Sequence, residues 1–410
     1  MTVSGTSQMS DFVHAAYDKD YLNAWNAKAC FMKFPKWRGD LKQTPGSTVS
    51  FPVNDRLARV TGNLTETSDV TAVGATGSEV SVTIVEKGNA VQPTLKLEET
   101  SYAANGKMIA GQVAENMINS LDYYVRGLIH ANTLPFYGGS ATSRVTCDTT
   151  SDIPTLDSVS QLVEHARGME IPPFADGSYA AVVHPAGIYE LKKISEIETL
   201  ASYSDPGLIY NGESDLLPNE MFPGEVFKIN GLRIIRHPWG KVYLGAGTAD
   251  QAATTLDGAH DAGATTVNVT DSTGYEVGEY VTIGTLESGS TQQPGTEQCK
   301  ITAINTNALT ITGAGNSHDN WGLKFAHDSG VSVIVSDNVF AIPVLGAESV
   351  VGYYDSETGR EGTQDMQKHI TVVPNRFWNY SWYWLGGCAI VDKYVIRGEF
   401  ATAMRLLGTP

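Results

Sequence analysis

Three places along the chain set histidine beside aspartate, the pairing that a metal centre or a general base would use. Asp257-Gly258-Ala259-His260-Asp261 offers carboxylate and imidazole ligands at close spacing, and His318-Asp319 and His327-Asp328 repeat the theme. None carries the alternating acidic loop of a calcium-binding hand, and no H-E-x-x-H supplies a second pair of zinc ligands. A polar turn ahead of a strand accounts for each of them. A metal-dependent hydrolase built on His260 and Asp261 would therefore lack its remaining ligands. No G-x-S-x-G elbow occurs, none of the nine histidines stands in a triad setting, and His184 before Pro185 reads as a strand end. Carboxylates are plentiful, but no two are placed as a hydrolase pair. Gly245-Ala246-Gly247 follows an expected strand as a dinucleotide loop does, yet the third glycine is missing and no helix follows. The aromatic run Phe377, Trp378, Tyr380, Trp382, Tyr383, Trp384 has the surface to stack on sugars or bases. Strand alternation assigns it mainly to core and subunit contacts instead. The expectation is no enzyme, no metal and no cofactor.

Composition narrows the class. With 410 residues and 41 % hydrophobic content, the chain can fill about two or three domains with sizeable cores. Charged residues make up only 18 %, against roughly 25 % in ordinary globular domains, and there are 41 glycines. That mixture favours strands and tight turns. The net charge of −17 argues against wrapping nucleic acid, which requires clustered Lys and Arg, while leaving room for a wall that repels it. Cys30, Cys147, Cys299 and Cys388 lie far apart without a C-x-x-C, and free intracellular thiols are the simplest expectation. The start, M-T-V-S-G-T-S-Q-M-S-D-F, has neither the basic nor the apolar part of a signal peptide. The most apolar stretch, 382–391, is broken by Gly386 and Gly387 and has about half the length that spans a bilayer. No membrane partner is expected.

The elements needed to position any site begin with an amphipathic stretch over 9–33 (Phe12, Val13, Ala16, Tyr17, Tyr21, Leu22, Trp25), read as a helical arm capped at Ser10-Asp11. A strand is expected over 48–53. A polar, Gly-rich stretch over 56–78 follows, then alternation from Glu79 with Val80, Val82 and Ile84 on one face. A break is expected at Lys87-Gly88-Asn89, ahead of a second alternating run around Leu95 and Leu97. Residues 107–131 then place Ile109, Val113, Met117, Leu121, Tyr124 or Val125, and Leu128 on one helical stripe, roughly 38 Å long at 1.5 Å per residue. Mixed α/β character over 154–236 predicts helices at 156–169 and 188–200 and strands at 179–183 and 226–235. Between 250 and 333 the pattern turns all-β, with four short Val/Ile/Thr strands and a hairpin at Asn305-Thr306-Asn307. An aromatic strand region over 377–399 is expected to pack on the long helix.

In this order the parts resemble the major capsid proteins of tailed bacteriophages, the Hong Kong 97-type fold. The segments that carry the likeness are G-S-T-V-S-F-P-V (46–53), V-T-I-V-E-K-G-N-A-V-Q-P-T-L-K-L (82–97), I-A-G-Q-V-A-E-N-M-I-N-S-L-D (109–122) and V-F-A-I-P-V-L-G (339–346). They are most similar to the capsid family allied to podophages with virion-encapsulated polymerases. The resemblance implies an α+β chain: N-terminal arm (1–47), extended β-loop with peripheral strands (48–104) and spine helix with peripheral domain (105–150). An apical domain (151–249), an inserted all-β module (250–333) and a return with C-terminal strands (334–410) follow. It implies hexamers and pentamers in an icosahedral shell around double-stranded DNA, assembled in the host cytoplasm and carried in the virion. It further implies a separate scaffolding protein, a portal and a place for a cement protein. The extended loop would lie on a neighbouring subunit, with Arg56, Arg59, Glu66, Asp69, Lys87, Lys96 and Glu98 fixing register there. The alternative class is a β-rich surface adhesin whose insert and aromatic cluster hold glycans.

Overall fold

A computed structural model describes residues 29–40, 46–54, 57, 59–63, 66, 70, 72–94, 96–97, 105–131, 134–194, 225–248, 253–284, 295–313, 322–355, 363–368, 378–391 and 395–406. A 3₁₀ turn at Phe31–Lys33 leads to strands β1 (Lys36–Asp40), β2 (Thr48–Asn54), β3 (Gly77–Thr83) and β4 (Val85–Val91), then helix α1 (Asn105–Ala131). Next come β5 (Leu134–Tyr137), α2 (Leu156–Gly168), β6 (Tyr179–Val183), α3 (Pro185–Lys192), β7 (Glu225–Ile229), β8 (Leu232–Arg236) and β9 (Val242–Tyr243). The following strands are β10 (Thr254–Thr255), β11 (Thr266–Asn268), β12 (Tyr280–Ile283), β13 (Glu297–Asn305), β14 (Ala308–Thr312) and β15 (Ser332–Ile334). After them run β16 (Asn338–Leu345), β17 (Val350–Tyr354), β18 (Thr363–Lys368), β19 (Trp378–Ile390) and β20 (Val395–Thr402).

The described strands make four sheets, and with the helices they give a mixed α+β structure. A seven-stranded sheet runs β5-β20-β16-β6-β8-β7, with β9 also on β16. Its central strands β6, β16 and β20 are buried at every position, which their continuous Val, Ile, Ala and Phe runs require. Helices α2 and α3 pack on it through Val159, Leu162, Val163 and Ile188, against Phe340, Ile342 and Phe400. Thr155 caps α2 by accepting the Ser158 N–H, and His184 caps α3 through Nδ1. A five-stranded sheet orders β1-β17-β19-β18, with β4 on the other side of β19. Helix α1 lies along it: Ile109, Val113, Met117 and Leu121 bury against Tyr380, Trp382 and Trp384. These aromatics alternate along β19, so one face of the strand presents all three to the helix. The six strands β10–β15 close their own sheet, in the order β10-β15-β12-β13-β14-β11, over a separate core that includes Val267, Ile283, Ile301, Leu309 and Ile311. The fourth sheet is the pair β2-β3 alone.

Several expectations need correction. The expected break at Lys87-Gly88-Asn89 does not occur, because β4 runs straight through it. Gly88 is there for close approach: a Cβ would stand 2.8 Å from the Trp382 carbonyl oxygen. Lys96 and Leu97 sit in a helical turn, not in an alternating strand. The all-β stretch has six strands where four were expected; β10 and β15 are too short, at two and three residues, to show a period. Of the expected arm, 9–28 lies outside the described residues, and Phe31–Lys33 is 3₁₀ rather than α-helical. Helix α1 begins at Asn105, two residues before the expected 107. The helix expected over 188–200 runs instead from Pro185 to Lys192, with Lys193 and Ile194 already outside it and 195–200 outside the described residues.

Candidate interaction surface

The β2-β3 ribbon is the feature that the internal packing explains least. Its strands pair from Thr48 and Thr83 at the base to Asn54 and Gly77 at the far end. A lone two-stranded ribbon is marginal in water unless one face is covered. The base meets that condition. Val49 and Val82 are buried, and Val82 clusters with Val351 and Val391. The Phe51 ring sits 5.0 Å from that of Tyr353. Gly387 on β19 lets the ribbon in, since a Cβ there would lie 2.3 Å from the Thr83 carbonyl oxygen.

Away from the base the cover ends. Gly77, Ser78 and Glu79 are exposed, and the stretch joining the strands presents Leu57, Val60, Val70 and Val73 at 59, 87, 65 and 72 % exposure. Charged residues are interspersed with them, Arg59 and Glu66 among the exposed ones. Exposed aliphatic side chains beyond the covered base of a ribbon suit being laid on another protein surface.

Buried charge ties the seven-stranded sheet to the end of α1. Glu399 accepts two hydrogen bonds from Arg144, Nε to Oε2 and Nη2 to Oε1, both at 2.8 Å. Arg397 pairs with the same Glu399 at 2.8 Å and donates through Nη1 to the His130 carbonyl at the end of α1. The Arg144 guanidinium also covers the buried Tyr243 ring at 3.5 Å. Burial, reinforced by Arg126 and Arg397, pulls the His130 imidazole well below its ordinary range and keeps it neutral. At the other end of this region Asp122 Oδ1 accepts the Met32 N–H at 2.9 Å, and burial raises its carboxyl.

The histidine–aspartate pairs do other work. His260 Nε2 accepts the Asn268 N–H at 3.1 Å, and the buried His327 faces Glu297 at 3.0 Å. Among the described residues no three His, Cys, Asp or Glu converge on a metal position. His318-Asp319 lies outside the described residues. Gly245 and Gly247 serve the passage into β10: Gly245 N–H donates to Asn338 Oδ1 and Gly247 N–H to the Asp337 carbonyl. All four cysteines are free and buried, with the thiols of Cys30, Cys147 and Cys388 pushed up to about 12. Among the described residues no helix is long and apolar enough to cross a membrane.

Comparison with solved structures decides the fold. The chain is similar to one from the capsid of Ralstonia phage GP4, with 11 % identity, 99 % of each chain covered and a TM-score of 0.59. The chain has the fold of phage capsid proteins. A chain of the cyanophage Pam1 capsid gives 11 % identity, 97 and 98 % coverage and a TM-score of 0.57. The acid-stable capsid of Helicobacter pylori bacteriophage KHP30 gives 12 %, 98 and 99 %, and 0.52. No family model and no curated protein matches the sequence.

Of the charged residues expected to mark a subunit contact, Arg56, Asp69 and Glu98 lie outside the described residues. Arg59 and Glu66 are exposed between β2 and β3, and Lys96 is exposed beyond β4. Lys87 turns inward, its ammonium 4.8 Å from the centre of the Tyr124 ring on α1. The residues missed by sequence reasoning are the aliphatics Leu57, Val60, Val70 and Val73. Their only signal is isolated apolar side chains in a polar stretch.

Proposed function

We propose that this chain is the major capsid protein of a tailed bacteriophage, built on the Hong Kong 97-type plan. The observation that supports it most is the end-to-end likeness to a phage capsid chain, with 99 % of both chains covered. In this reading α1 is the spine, the five-stranded sheet is the peripheral part and the seven-stranded sheet is the apical part. The β2-β3 ribbon is the extended loop that lies over the adjacent subunit, covering Leu57, Val60, Val70 and Val73. Arg56, Arg59, Glu66, Asp69, Lys96 and Glu98 then tune register at that contact, while Lys87 on β4 is turned to α1 through the Tyr124 ring. Subunits form hexamers and pentamers of an icosahedral shell around double-stranded DNA, with a scaffolding protein, a portal and in some cases a cement protein as partners. The net charge of −17 suits a wall to which packaged DNA does not adhere. The sheet β10–β15 is an inserted module that faces outward and reinforces the shell or serves attachment.

The test is electron microscopy and sedimentation of the purified protein, with and without a co-expressed scaffolding protein. Closed shells or hexameric rings are expected. A stable monomer under both conditions would remove the proposal.

A further inference from the structure

The sheet β10–β15 joins the rest of the chain through two connections, one after β9 and one before β16. These run side by side and bond to each other: Gly247 N–H donates to the Asp337 carbonyl at 3.0 Å, and Asp337 N–H to the Thr248 carbonyl at 3.1 Å. Two adjacent connections define a hinge, leaving rotation about their common axis open. The Gln298–Asn338 amide pair ties β13 to β16 close to that axis, and a third attachment laid across this pair would restrict the rotation further.

We propose that residues 403–406 are that third attachment, a strap that locks the six-stranded sheet in one orientation on the seven-stranded sheet. The strap leaves β20 with its direction fixed, as Ala403 N–H and Thr402 Oγ1 both donate to Glu190 Oε1, at 2.9 and 3.0 Å. It then crosses a buried amide pair. Gln298 of β13 and Asn338 of β16 exchange two hydrogen bonds of 2.9 Å, and both side chains are fully buried. The strap bonds to each member: the Met404 carbonyl accepts from Asn338 Nδ2 at 3.3 Å, and Leu406 N–H donates to Gln298 Oε1 at 2.9 Å. Between them Arg405 donates to the Ser336 carbonyl at 2.7 Å and to Asp337 Oδ1 at 2.8 Å, gripping the second connection. Leu406 packs its side chain on the core of the seven-stranded sheet while its backbone holds the six-stranded one. Thr282 of β12 joins the same network through Gln298 Nε2 at 3.1 Å.

Such a junction differs from a flexible linker. Directional bonds to buried amides tolerate little rotation, and an unpaired buried amide is costly, so the network is either whole or broken. The strap therefore makes the six-stranded sheet a fixed projection. The inference concerns one chain and holds whether or not that chain builds a shell.

The test is the distance between two spin labels in the full chain, one at Gln161→Cys on α2 and one at Ala303→Cys on β13. Both positions are exposed, and the four native cysteines are buried away from the label. The parent chain should give one narrow distance distribution. A chain stopped after Thr402 should give a broad one, with amide protection at the junction falling at least about tenfold. Protection of Leu309 and Phe340, in the two separate cores, should persist and certify folding. If the truncated chain does not fold, Arg405→Gln with Leu406→Pro removes the same grips from an intact chain and decides instead. A distribution as narrow without the strap as with it, or one already broad in the parent, overturns the proposal.

Discussion

Replacing Val60 and Val73 by serine separates assembly from folding. These side chains are 87 and 72 % exposed in the isolated chain, so their removal takes away almost no internal packing. Surface changes of this kind shift stability by no more than about 0.5 kcal/mol. If a neighbouring subunit covers the ribbon, the loss appears there instead. Full burial of a valine or leucine is worth about 1.5–3 kcal/mol, so the exposed fractions of Leu57, Val60, Val70 and Val73 together represent about 4–8 kcal/mol per contact. Losing two of them removes about 2–4 kcal/mol, which raises the concentration needed for assembly at least about thirtyfold. The assay pairs a thermal melt of the unassembled protein with sedimentation of shells across a concentration series. An unchanged melt with a large loss of shells is expected. Unchanged assembly would show that the strip is not an interface, and a fall in melting temperature of more than a few degrees would show that it packs internally.

Further outcomes follow from the buried groups. Glu399→Gln leaves Arg144 and Arg397 facing a neutral amide in a buried site and should cost about 3–5 kcal/mol in chemical denaturation. Trp384→Ala empties the contact between α1 and β19 and should cost about 3–5 kcal/mol, read as a loss of α-helical ellipticity at lower denaturant. Gly387→Val should force the ribbon off β19, costing at least about 1–3 kcal/mol, with faster proteolysis between β2 and β3 as the readout. His184, buried and near Arg126, is lowered from 6.5 to about 4. Its folded state favours the neutral form, so its contribution is whole above 6.5 and is lost as pH falls from 6.5 towards 4. That loss approaches about 3 kcal/mol, and His184→Asn, which keeps a capping side chain, should flatten the corresponding part of the stability–pH curve.

Where local pattern and burial coincide, the elements were legible. The stripe of α1 and the apolar run Tyr179–Val183 state their own partners, because a helix or strand that repeats its apolar residues must bury them. Gly88 was misread for a physical reason. A glycine inside a strand marks a break or a close approach, and only the Trp382 carbonyl at 2.8 Å from its virtual Cβ tells them apart. Strands as short as β10 and β15 exist only through their neighbours and leave no trace in the local sequence. The site was less legible than the fold. Charged residues around the ribbon attracted notice by type, whereas Leu57, Val60, Val70 and Val73 have no period, and their exposure is decided by what fails to fold over them.

This asymmetry bears on how a fold can persist at 11 % identity over 99 % of a chain. What α1 and β19 require of each other is a helical stripe of medium aliphatics facing alternating aromatics, a pattern that many sequences satisfy. The seven-stranded sheet likewise asks only for apolar side chains at every position of β6, β16 and β20. The demands that do name a residue are few, and they sit where backbones touch, as at Gly387 against Thr83. Beyond its base the ribbon has no such internal constraint. Its residues answer to whatever surface covers it, so it can change with its partner while the frame stays the same. The frame therefore identifies the fold, and under the proposed function the ribbon is where the specificity of assembly is to be sought.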